Sequence, residues 1–258
     1  MIVVNDENSE LLVVRQRDHA LASAAFAERW CRPEVIPPSM WHRFVEAVRR
    51  HDDGWIGQES APLISSEGRP LDFKAIPTPE HVAIWRTGVE CHRHMDPYVA
   101  LLIAQHARWL YTHVGQETVE DQRRVQAFTD ELGQWIDGCI EQLAGGQSDE
   151  QAAVDPHALA AARSLLTFFD QASLILIGAL PATDRTEPLW FGTRHEALVM
   201  DSCHGALMVT PWPFAGKAWG LTTVARRLTG HLFSSPQHLH EEVARAPQAT
   251  LEWQVRPG

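Results

Sequence analysis

The chain's apolar positions fall into two periods, strand-like at both ends and helical between. Residues 1–4 and 11–15 are short β-branched runs with a polar stretch between them, and they predict a hairpin or two adjacent strands. Asp18 stands where an N-cap would, ahead of an Ala-rich helix from 19 to about 30. Pro33, Pro37 and Pro38 break the chain, and Ser39 opens a second helix. Its Phe44, Val45 and Val48 recur at helical spacing and lead into His51-Asp52-Asp53-Gly54-Trp55, with Gly54 placed to stop the helix. Residues 56–80 hold four prolines and little periodicity and read as a long ordered loop; 81–94 reads as helix.

The second half repeats the pattern with better punctuation. Asp96-Pro97 pairs an N-cap with Pro at the first helical position, and the helix should run to about 114 with Val99, Leu102, Ile103, His106 and Leu110 on one face. Residues 119–143 carry the stripe Val125, Phe128, Leu132, Trp135, Ile136, Cys139 and Leu143, which Gly145-Gly146 ends. After a polar linker at 147–154, Asp155-Pro156 opens the most apolar helix, and Asp170 lies inside it among Leu166, Phe169, Leu174 and Ile177. Beyond Pro181 the period changes: 197–200, 206–210, 221–225 and 250–255 look like short strands joined by Pro- and Gly-rich turns. The implied architecture is one α+β domain over 1–258. It has a helical core at about 18–180 and a small antiparallel sheet built from 1–15 and 196–256, since a lone hairpin is marginal.

Composition narrows the partners. The 258 residues carry 33 acids against 22 bases, a net charge of −11, and no basic block of five or more. Duplex nucleic acid is therefore disfavoured, because such binding rests on many phosphate contacts. A small anionic substrate remains open, because a cation and a few arginines can set a local potential. The four cysteines are scattered without a C-x-x-C, which suits reduced thiols in a cytoplasm. The start has no basic and apolar leader pattern, and the longest apolar run, 165–180, is short and contains Asp170 and Gln171, so no membrane partner is expected.

Chemistry enters through polar side chains on faces that should be buried. His51 and Asp52 follow the apolar face of their helix, His106 shares the apolar face of its own, Asp170 has little access to water, and His19 begins the Ala-rich helix. A buried imidazole or carboxylate is costly unless paired, and a divalent cation satisfies both types at once. His19, His51, Asp52, His106 and Asp170 are thus candidate ligands of Mn, Fe, Zn, Ni or Mg, whose catalytic use would be to acidify water. The bland alternatives are a capping role for Asp52, single hydrogen bonds for the histidines, and an Arg163 or helix-terminus partner for Asp170. Asp53 and Glu59 are candidates for proton transfer. Arg17 and Arg69, with Arg15, are candidate anion contacts, against the commoner fate of surface arginine. Cys91, His92 and His94 lack a second half of a zinc site.

The order His19, then His51-Asp52, then Asp170 resembles the H…HD…D pattern of the HD superfamily of metal-dependent phosphohydrolases. Several segments are similar to the domain-of-unknown-function family 3891: Gln16-Arg17-Asp18-His19-Ala20, His51-Asp52-Asp53-Gly54-Trp55, Gly68-Arg69-Pro70-Leu71-Asp72-Phe73, Ala100 through His106, Phe168 through Leu174 and Pro211-Trp212-Pro213-Phe214. The first resemblance implies an HD-like helical bundle. It also implies hydrolysis of a phosphoester on a small molecule or nucleotide, with His106 holding a second metal or phosphate and Asp52 able to bridge. An HD-type di-iron oxygenase and a non-catalytic scaffold on the same bundle are the alternatives. The long interval from Asp52 to Asp170 and the C-terminal strands depart from the ordinary HD pattern.

Overall fold

The computed structural model describes residues 1–5, 10–113, 118–203 and 205–258, with Cys203 described through its backbone alone. Strands β1 (Ile2–Asn5) and β2 (Leu11–Val14) pair antiparallel with Ile2 opposite Val14; the turn expected between them lies outside the described residues. Arg15 caps the next helix, α1 (Gln16–Arg29), in extended backbone, so Asp18 lies within its first turn instead of capping it. Helix α2 (Pro38–Arg50) follows, then α3 (Trp55–Ser60), a 3-10 turn at Phe73–Ala75, and α4 (Thr78–Arg93). Helices thus occupy both ends of the stretch read as one long loop. Helix α5 (Pro97–His113) is capped by Asp96 Oδ1, which accepts from the amides of Tyr98 and Val99 at 2.9 and 3.2 Å. Next come α6 (Val119–Ala144), α7 (Ser148–Ala153) and α8 (Pro156–Ile177), the last ended by Gly178 at φ 85°. The polar segment read as linker is α7, closed by a reciprocal Gln147–Glu150 capping box.

The sheet corrects the expected fold class. It has seven strands, not a few, and it is mixed, not antiparallel. Strands β3 (Arg185–Phe191), β4 (Arg194–Cys203), β5 (Ala206–Thr210) and β6 (Trp219–Leu228) precede α9 (Pro236–Arg245) and β7 (Gln248–Pro257), in the spatial order β1-β2-β6-β7-β5-β4-β3. β7 inserts between β6, antiparallel to it, and β5, parallel to it. The parallel pair exists because β5 and β6 run in opposite directions, so a strand entering between them is parallel to one and antiparallel to the other, an insertion that strand-by-strand reading does not reveal. β3 escaped notice because only Leu189 and Phe191 of its residues are buried and Pro188 interrupts it at a shifted register.

Helices and sheet share one apolar interior. Phe26 of α1 meets Phe169 of α8 at 6.5 Å and Trp219 of β6 at 5.3 Å between ring centroids. Trp30 Nε1 donates to the Trp190 carbonyl at 2.8 Å. Thr223 Oγ1 on β6 donates to the Asp18 carbonyl at 3.0 Å, which fixes the first turn of α1 on the sheet. Among the described residues α8 is long and apolar enough to cross a membrane, and most of it is buried inside the protein.

Candidate metal centre

Four helices aim polar side chains into one buried point. α1 packs on α2 and α8, and α5 packs on the same two. His19 comes from α1, His51 and Asp52 from the turn that ends α2, His106 from α5, and Asp170 from α8; none is more than 7 % exposed. Asp170 is the hub. Its Oδ1 lies 2.9 Å from His19 Nε2 and 3.6 Å from His51 Nε2, and its Oδ2 lies 3.4 Å from His106 Nε2. Asp52 Oδ2 stands 3.6 Å from His19 Nε2 and 3.4 Å from His51 Nε2.

Each imidazole is held from behind through its other nitrogen. His51 Nδ1 lies 2.7 Å from the Val48 carbonyl, an atom that only accepts, so Nδ1 carries the proton and Nε2 presents a lone pair. His19 Nδ1 meets Ser173 Oγ at 2.5 Å, and that hydroxyl also lies 2.9 Å from Ser23 Oγ and 3.0 Å from the Asp170 carbonyl. His106 Nδ1 lies 3.3 Å from Thr167 Oγ1. Thr167, Asp170 and Ser173 recur every third residue of α8, so one helix face supplies the central carboxylate and two of the three rear supports.

The middle of the cluster crowds three imidazole nitrogens against the oxygens of two carboxylates. His51 Nε2 and His106 Nε2 are buried and make no hydrogen bond among the described residues. An unsatisfied buried group costs roughly 1–3 kcal/mol, so a cation is the natural complement. The electrostatics agree. Burial pushes the His51 imidazole down, yet the neighbouring Asp52 and Asp170 carboxylates outweigh it and raise its pKa to about 9. Burial would raise the Asp170 carboxyl, but the imidazoles of His106, His19 and His51 around it hold it well below the usual carboxylate range. The centre therefore prefers positive charge. Two triads, His19–His51–Asp52 and His51–His106–Asp170, each bring three ligand atoms within 4.8 Å of one another, so the residues present fit a metal ion.

The remaining candidates go elsewhere. Asp53 Oδ2 accepts from His92 Nε2 at 3.1 Å and lies 3.4 Å from Arg50, so it is engaged in an ion pair with α4 and not with the cluster. Glu59 is neither loop-borne nor solvated. It sits on α3, accepts from the Gln16 amide at 2.7 Å and lies 3.3 Å from the Met1 amino nitrogen, while burial raises its carboxyl. Arg17 and Arg69 are exposed and do not line the cavity beside the cluster, nor does Arg15. His92 serves Asp53, and among the described residues no metal-capable group forms around Cys91 and His94. Ser23, Thr167 and Ser173 were missed; polar residues spaced three apart on an otherwise apolar α8 were the available signal. Gly54 does not stop α2 through a left-handed turn, since its φ is −60°. It is glycine because a Cβ there would lie 2.1 Å from the Ile84 carbonyl oxygen of α4.

The molecule is thus an α+β protein whose helices enclose a His/Asp centre of metal-holding composition beside a mixed sheet. The chain belongs to the family described as Protein of unknown function (DUF3891), whose model matches residues 1–230. No curated protein and no solved structure matches it.

Proposed function

We propose that the protein is a metal-dependent hydrolase, with phosphoesters of small molecules as the substrate class to which the H…HD…D ligand order points. One observation carries the reading: three Nε2 atoms and two carboxylates converge in the interior, and two of those nitrogens lack any partner among the described residues. The cluster also opens on a cavity of about 850 Å³, large enough for a small molecule. His19, His51, Asp52, His106 and Asp170 would hold the ion. The two triads share His51, which suits one ion or a close pair. A divalent metal there supplies Lewis acidity and acidifies water. The rear hydrogen bonds aim each Nε2 inward, and Asp52 is the carboxylate at hand to take up a proton, since Asp53 and Glu59 are engaged elsewhere.

The test is elemental analysis of the purified protein together with turnover of p-nitrophenyl phosphate. We expect on the order of one or two equivalents of a transition metal, as such N/O donor sets bind, a rise in melting temperature on adding Mn²⁺ or Fe²⁺, and turnover that chelation removes. Protein without metal, unmoved by either ion, would be a scaffold. Bound iron with oxygen consumption and no ester turnover would replace hydrolysis by oxygenation.

A further inference from the structure

The cavity that meets the cluster is walled by rings and not by cations. Trp55, Trp85, Trp109 and Tyr111 line it, with Phe73 and Ile76 from the 3-10 segment completing the apolar side. Among the described residues no arginine lines it. Its lysine, Lys74, is occupied by the Ala179 carbonyl at 2.8 Å and lies 3.5 Å from Asp72. A triphosphate or other polyanion needs several charge-assisted donors, and this wall offers one lysine already engaged on one side. Large flat apolar surfaces instead favour rings, which stack in offset or edge-to-face arrangements.

One polar group is built into that wall. His81 lines the cavity, 5.6 Å from Trp55, 6.5 Å from Trp85 and 5.5 Å from Tyr111 between ring centroids. Its Nδ1 lies 2.8 Å from the Tyr111 hydroxyl. Tyr111 is buried, and among the described residues its O–H has no other acceptor, so the phenol donates to Nδ1 and leaves the imidazole proton on Nε2. Burial lowers His81 to about 4, which keeps the ring neutral in ordinary buffers. A neutral, fixed N–H donor in an aromatic wall is a recognition element for an uncharged acceptor such as a carbonyl or ring nitrogen.

We propose that this cavity selects a substrate whose non-reacting half is a planar, uncharged ring system bearing a hydrogen-bond acceptor, read by His81. The inference rests on the proposed function only for where the reacting bond would sit; the wall can be tested without metal or turnover. The probe is 4-nitrobenzamide, which is flat, neutral and carries an amide carbonyl. Its quenching of tryptophan fluorescence should saturate in the wild-type protein and equally in Asp170→Asn, which lacks a candidate ligand. His81→Ala should weaken that binding about three- to tenfold, the worth of one neutral hydrogen bond. Trp109→Ala, at a half-buried position that tolerates truncation, should weaken it as well, with circular dichroism reporting that both variants fold. In Asp170→Asn, tripolyphosphate should not compete. Absence of saturable quenching, or competition by tripolyphosphate in that variant, overturns the proposal. Saturable binding with no metal and no ester turnover leaves the recognition wall standing and rejects only the hydrolase.

Discussion

At the scale of single residues, Asp170 is the atom pair on which the centre turns, because both its oxygens face imidazoles. Asp170→Asn keeps the shape and removes the charge, so it should abolish metal binding and also lower the melting temperature of the metal-free protein, since it leaves buried imidazoles without the carboxylate they face. Metal content by mass spectrometry and a melting curve check both halves; exposed His42→Ala should change neither. Ser173→Ala is the finer probe. It removes the rear support of His19 Nδ1 and should weaken metal affinity about 10- to 100-fold without unfolding the chain, as loss of an outer hydrogen-bond partner does; titration with Mn²⁺ against a chelating dye measures it. The five converging residues were legible because each puts a costly polar group on an apolar face. The serines and threonine behind them were not, since Ser and Thr are unremarkable in a helix until their partners are known. Glu59 misled for a similar reason: its partners, the Met1 amino group and the Gln16 amide, are remote in sequence, so nothing local marks it as buried.

At the scale of elements, the turn between α2 and α3 is placed by its contact with α4. Gly54 approaches the α4 backbone so closely that Gly54→Ala would drive a methyl into the Ile84 carbonyl and Gly88. Such overpacking against rigid backbone costs about 1–3 kcal/mol or more. Because His51 and Asp52 ride on the same turn, melting temperature and metal occupancy should fall together. The His92–Asp53 pair ties the same turn to α4 from the side. Its hydrogen bond to Asp53 raises His92 to about 9 from an unperturbed 6.5. A raised imidazole stabilises fully below the unfolded value and loses that contribution as pH climbs through the folded one. The melting-temperature advantage of wild type over His92→Gln should therefore be full below pH 6.5 and fade by pH 9; an advantage that grows with pH would contradict the pairing. Helix punctuation was readable wherever Asp-Pro or Gly-Gly marked it. The reason for Gly54 was not, because close approach between helices leaves no local trace.

At the scale of the whole molecule, the sheet is what the ligand set depends on without touching it. All five candidate ligands lie within the family-matched residues 1–230, yet the strand at the middle of the sheet does not. β7 bridges β6 and β5, so without residues 231–258 the sheet would divide into β1-β2-β6 and β5-β4-β3. The same deletion would remove Phe233 and Leu239, which cover Met1, Leu11, Val13 and Leu228, and the Phe233 amide that donates to the Gly68 carbonyl at 2.8 Å. It would also bare the edges of β6 and β5, a template for association. β6 in turn holds the start of α1 through Thr223 and the aromatic contact of Trp219 with Phe26. His19 stands one turn into that helix, its amide donating to the Arg15 carbonyl at 3.0 Å. A chain ending at residue 230 should therefore lose metal although every ligand is present, because breaking up the sheet forfeits more than the ~5–15 kcal/mol that typically separates a folded domain from its unfolded chain. Size-exclusion chromatography and circular dichroism should show aggregated or unfolded material where the full chain gives a cooperative transition. A truncated chain that stays monomeric, melts cooperatively and binds metal as the full one does would mean that the four helices hold the centre alone and that β7 serves some other purpose.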